Sequence, residues 1–166
     1  IHFENIPYPI EDSYVAIVKV NTSLNAPTPR EDHLNLEISR VEKFVNGYEN
    51  KKNMIKKFLA ECRQKQEKVV LFGGGHMSCV FLNLFELKDC IEFVVDDDPH
   101  MRGLFMPGSG LPILGSKAIY EEDVKICILT LSASSEEKVI KNNQRFLEKG
   151  GVFASVFSGS RWAMNI

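Results

Sequence analysis

Four apolar residues run straight into three glycines at "VVLFGGG", Val69 to Gly75, and a helical pattern begins at once after them. An apolar stretch this short fits a strand covered on both faces, while consecutive glycines let the backbone turn sharply and let another group come close. The same rhythm then repeats. Ile91 to Val95, Lys125 to Leu131 and Val152 to Phe157 read as further strands, and Met77 to Leu87 and Ser134 to Glu148 carry helical spacing. Alternation of this kind predicts an α/β fold, a three-layer sandwich around a mainly parallel sheet. Right-handed crossovers then place the loops after the strands along one edge, where ligands of such sheets sit.

The first third of the chain reads differently. Ser13 to Val20 is rich in β-branched residues and predicts a strand, and Asn21 to Asp32 is a linker whose Thr28 and Pro29 resemble a helix start. Leu34, Ile38, Val41, Phe44 and Val45 keep a helical period, as do Met54, Ile55, Phe58, Leu59 and Cys62, which predicts two helices or one broken near Gly47. The expected organisation is a strand and linker over 1–27, a helical arm over 28–66 that precedes the α/β domain, and that domain over 67–166. The chain opens on Ile1, so an upstream domain is expected, with 1–27 as its tail.

Composition excludes several classes of function. A formal net charge of -2 with scattered Lys and Arg argues against a nucleic-acid partner. No apolar run approaches the ~20 residues of a membrane helix. Cys62, Cys79, Cys90 and Cys127 form no C-x-x-C pair, which suits a reducing cytoplasm, and the four histidines lack zinc-ligand spacing, so no metal is expected.

Chemistry concentrates in two stretches. Gly73, Gly74 and Gly75 follow the first strand of the domain, and Asp96 closes the next; in dinucleotide folds such glycines admit phosphates and such an acid holds a ribose. The fingerprint is incomplete, because Ser78 stands where its third glycine belongs, and a tight strand-to-helix turn would explain the glycines equally well. His76 opens the helix, placed to donate a hydrogen bond or to act as a polar cap. In "VVDDDPHMRGLFMPGSGLPIL", Asp96 is a candidate hydroxyl acceptor and Arg102 a candidate phosphate partner. The three adjacent aspartates point in different directions on an extended loop, which disfavours a shared cation. Leu71 occupies the place of the acid that a methyl-donor turn of the D/E-x-G-x-G type requires. Ser132 to Ser135 read as helix caps before Glu136 and Glu137. Arg161 and Trp162 read as a terminal tail, a cover for the site or a contact with another domain. No catalytic residue is identified.

"VVLFGGGHMSCVFLNLF", "IEFVVDDDPHMRGLFMPGSGLPIL" and "FLEKGGVFASVF" together resemble the C-terminal, Rossmann-like domain of S-adenosylmethionine-dependent sugar C-methyltransferases and related methyltransferases. The order D-x-x-P-x-x-x-G-x-x-x-P-G-x-x-x-P-I from Asp96 to Ile113 is the more specific part. Gly74, His76, Asp97 and Asp98 depart from the family pattern. The resemblance implies that an upstream domain binds S-adenosylmethionine and carries the catalytic groups, while this domain helps hold a nucleotide-sugar substrate and does not itself bind the methyl donor. Two alternatives from the residues stay open: an NAD(P)-binding oxidoreductase domain gripping its cofactor through Gly73 to Gly75 and Asp96, or a non-catalytic domain that forms a homodimer or docks a partner through the amphipathic stretch from Leu34 to Cys62.

Overall fold

The computed structural model describes residues 2–6, 13–19 and 30–164. It divides into two compact units, Ile1–Tyr48 and Glu49–Ile166.

In the first unit, strand β1 (His2–Ile6) pairs antiparallel with β2 (Ser13–Ile17), placing Phe3 opposite Ala16 and Glu4 opposite Val15. β1 is absent from the sequence reading, which assigned a strand to Ser13–Val20 alone; Val20, Thr28 and Pro29 lie outside the described residues. Helix α1 (Glu31–Gln64) starts in this unit and ends in the other. It is one helix, without the break expected near Gly47. A glycine costs about 1 kcal/mol relative to alanine in a helix interior, too little to interrupt a run with good helix formers on both sides.

The second unit is built on a five-stranded, wholly parallel sheet in the order β5-β4-β3-β6-β7. Its strands are β3 (Lys68–Phe72), β4 (Val94–Asp96), β5 (Ile113–Gly115), β6 (Val124–Leu129) and β7 (Val152–Ser155). Between them run α2 (His76–Leu84), α3 (Ala118–Glu121), α4 (Ala133–Asn142) and α5 (Gln144–Glu148). Successive residues of β3 feed opposite faces. Val69 and Leu71 join Ile55 and Leu59 of α1 and Phe81 and Leu82 of α2, whereas Val70 and Phe72 join Ile119, Val139 and Phe146 of the helices beyond β5. These are the three layers of a Rossmann-like α/β sandwich. Each fully buried side chain of this kind contributes roughly 1.5–3 kcal/mol, so β3, with four residues at most 3% exposed, anchors the domain.

Several elements differ from the sequence reading for identifiable reasons. β5 and α3 were hidden because three and four residues are too few to show a period; pairing with β4 and packing on β6 define them. The single helix expected over Ser134–Glu148 is two, because the side-chain amide of buried Asn143 donates to the Val139 carbonyl at 2.8 Å and replaces a main-chain bond at the break. α2 stops at Leu84, where Glu86 turns left-handed (φ 56) and the Leu87 N–H returns to the Leu82 carbonyl. Among the described residues no helix is long and apolar enough to cross a membrane.

Candidate functional site

The sheet order reverses at β3: the chain runs outward through β4 and β5, then returns to the other side of β3 with β6. A crevice at the carboxyl ends of the strands is expected at such a reversal. Gly73–Gly75 leave β3 there, Asp96 ends β4, and Gly115 ends β5 directly opposite Asp96 in register.

Each glycine does something different. Gly73 turns with φ 111, a left-handed conformation, and a Cβ on it would lie 2.7 Å from a Leu131 methyl. Gly74 is covered: a Cβ there would meet Met101 Cε at 2.9 Å and Asp96 Oδ2 at 3.2 Å. Gly75 faces open space, with nothing within 4 Å of its Cβ position, and caps the start of α2. Tight turning and internal packing thus account for Gly73 and Gly74, and room for an approaching group remains at Gly75. Ser78, in the place of the third glycine, is fully buried. Its hydroxyl donates to the Gly73 carbonyl and lies against the Thr130 hydroxyl, which donates to the Phe72 carbonyl at 2.8 Å. This pair locks the turn to β6. Sequence inspection missed it, since Thr130 lies more than fifty residues from Ser78 and only the β3–β6 pairing joins them.

Asp96 belongs to the same rim as the glycines. The Gly74 N–H donates to its Oδ2 at 2.6 Å and the Asp98 N–H to its Oδ1 at 2.8 Å, which fixes the carboxylate while each oxygen retains acceptor capacity. Asp98 in turn accepts the His100 N–H at 2.9 Å. Two of the three aspartates therefore serve as local turn acceptors, and among the described residues no cluster of His, Cys, Asp and Glu is placed to hold a metal ion. Arg102 is exposed, donates to the Asp97 carbonyl at 3.4 Å and extends over Gly115, where a Cβ would lie 3.2 Å from its Nε. His76 is exposed on the first turn of α2. The structure thus brings Gly73, Gly74, Gly75, His76, Asp96 and Arg102 to one edge of the sheet. Leu71, where a methyl-donor turn needs an acid, is buried in the core.

Other expectations change in detail. Ser132 sits at the start of α4 but its side chain makes no capping bond; it contacts the Ser134 and Ser135 hydroxyls instead. Glu136 is buried and accepts the Ser155 hydroxyl at 2.5 Å and the Ser160 hydroxyl at 2.6 Å. The tail is pinned to the sheet edge, with the Ser155 N–H donating to the Trp162 carbonyl at 2.7 Å and the Met164 N–H to the Ser155 carbonyl at 2.9 Å. Cavities away from the rim among the described residues include one of about 320 Å³ near the opposite ends of β3 and β4 and one of about 430 Å³ beside β7 and Trp162.

Fold and rim together define a Rossmann-like α/β domain with a glycine turn and an acid on the neighbouring strand. Residues 14–157 match the family described as the C-methyltransferase C-terminal domain, and the chain belongs to that family. No curated protein matches it. Similar solved structures include a UDP-D-quinovosamine 4-dehydrogenase from Vibrio fischeri, 17% identical over 54% of this chain and 76% of that one, with a TM-score of 0.42. RSP in complex with beta-NADH is 13% identical over 76% of this chain and 65% of that one, with a TM-score of 0.45. RSP described as a Rex-family repressor is 13% identical over 80% and 71%, with a TM-score of 0.42.

Proposed function

We propose that this domain holds the nucleotide part of an activated, sugar-linked substrate at the rim formed by Gly73–His76, Asp96 and Arg102, and presents it to an upstream domain that binds S-adenosylmethionine and transfers the methyl group. The observation that carries the reading is the 2.6 Å bond from Gly74 to Asp96, which sets the glycine turn and the acid side by side while Gly75 stays open. A phosphate seated at Gly75 would lie at the positive end of α2, with Arg102 as a second charge partner and Asp96 as acceptor for a sugar hydroxyl. The family supports the division of labour, since its description is of a C-terminal domain. So does the β1–β2 pair, whose Phe3, Tyr14, Val15 and Ile17 are exposed: two strands alone are marginal in water, which suits the tail of a larger sheet. The protein's four free cysteines suit a reducing cytoplasm.

Isothermal titration with UDP and dTDP, free and hexose-linked, tests the reading against S-adenosylmethionine and NADH. Binding of a nucleotide that Gly75→Val weakens at least about tenfold is the expected result. Tight binding of S-adenosylmethionine alone reverses the assignment, and tight binding of NADH alone favours an oxidoreductase-type domain.

A further inference from the structure

The first half of α1 carries a seam that the described residues of its own unit leave uncovered. Leu34, Ile38, Val41 and Val45 follow one another at intervals of four, three and four residues, with Phe44 beside them, and all five are between 46% and 60% exposed. Carried on along the same helix, this spacing reaches Ile55, Leu59 and Cys62, each no more than 3% exposed. One pattern is therefore buried in the second half of the helix and bare in the first. Alternating steps of three and four are the a/d register of a helix that packs lengthwise on another helix, with Ile38 and Val45 at a and Leu34 and Val41 at d.

We infer that this seam pairs two copies of the chain, antiparallel, about a two-fold axis between Ser39 and Arg40. In that register Leu34 faces the second copy's Val45 and Ile38 its Val41, so one patch serves both sides, as a closed two-fold interface requires. Charge selects the direction. A parallel, in-register pair would set Glu37 against the second copy's Glu42, whereas the antiparallel pair sets Glu37 beside Phe44 and Glu42 beside Asn35. Area fits as well. Half-exposed side chains of this size leave roughly 80 Å² of apolar surface each, about 400 Å² per copy; at the ~65% apolar share of homodimer contacts this corresponds to about 1,200 Å² in total, above the ~1,000 Å² of a specific interface.

Sedimentation equilibrium of the protein between about 1 and 200 µM tests this, with Val41→Asp and Val45→Asp compared with Leu147→Asp, an exposed apolar site on α5. The positions are exposed, so far-UV circular dichroism should be unchanged in all three. The expected result is twice the chain mass at the upper concentrations, reduced to the single-chain mass by the two seam variants and kept by Leu147→Asp. A monomer throughout, a higher oligomer, or a dimer indifferent to both seam variants overturns the inference. Direction is read by oxidation: a Leu34→Cys/Val45→Cys double variant should give covalent dimers joined 34 to 45, and dimers joined 34 to 34 would overturn the antiparallel arrangement.

Discussion

A methyl group added at Gly73 would have to occupy a left-handed backbone and meet Leu131, whereas a side chain at Gly75 would enter open space. Gly73→Ala should therefore cost about 1–3 kcal/mol, read as a lower midpoint in urea. Gly75→Val, which replaces the N-cap of α2 by a poorer one in open space, should lower that midpoint less than Gly73→Ala does and should weaken nucleotide binding at least about tenfold, or 1.4 kcal/mol. Equal stability losses in both variants would mean that both glycines serve folding alone. Thiols make a second contrast at this scale. All four cysteines are free, and burial pushes the Cys127 thiol far up from its ordinary value and raises that of Cys62, with Glu67 adding to the effect. Iodoacetamide followed by peptide mass mapping should modify half-buried Cys79 and Cys90 in the native protein and leave Cys127 unmodified until it unfolds.

Among the elements, one carboxylate helps to hold the tail and another the end of α2. Glu136 accepts hydroxyls from Ser155 and Ser160, so Glu136→Ala leaves two donors without an acceptor and should cost about 1–3 kcal/mol. Amide exchange at Ser155 and Met164, whose N–H groups tie the tail to β7, should accelerate more than exchange in β3. Glu86, after α2, lies 2.7 Å from the Lys52 ammonium and 3.0 Å from that of Lys56, both on α1. Hydrogen bonds from Lys52 and then Lys56 hold its carboxyl below the usual glutamate range. Because the folded value is the lower one, the stabilisation is present above the ordinary glutamate range and is lost as pH falls through the folded value. Glu86→Gln should flatten that part of the acid limb in a pH series of urea midpoints; the effect is small because Glu86 is solvated.

At the scale of the molecule, long and periodic elements were legible and short ones were not. β3 announced itself by four apolar residues before glycine, and Asp96 fell at the end of its strand as the pattern required. β5, by contrast, is extended because β4 pairs with it, and nothing within Ile113–Gly115 says so. The rim residues could be named from their spacing, since glycines and an acid have fixed places in a strand–turn–helix–strand unit. Ser78 with Thr130, and Glu136 with its two serines, could not, because each contact joins positions that only the folded sheet brings together. The helix caps expected from Ser132 to Ser135 illustrate the same limit: the residue types were right for capping, and their hydroxyls turned to one another.

The hydroxyl pair between Ser78 and Thr130 spans the seam at which the two halves of the sheet meet, one half built from 68–115 and the other from 124–155. Both hydroxyls are buried, so the pair fastens one half to the other from within. A nucleotide at Gly75, Asp96 and Arg102 would touch the 68–115 half alone and act there as a clasp, drawing β3, β4 and β5 together while the buried pair keeps hold of β6. Native-state amide exchange in β4 and β5 should then slow as nucleotide is added, and more than exchange in β6 and β7 does.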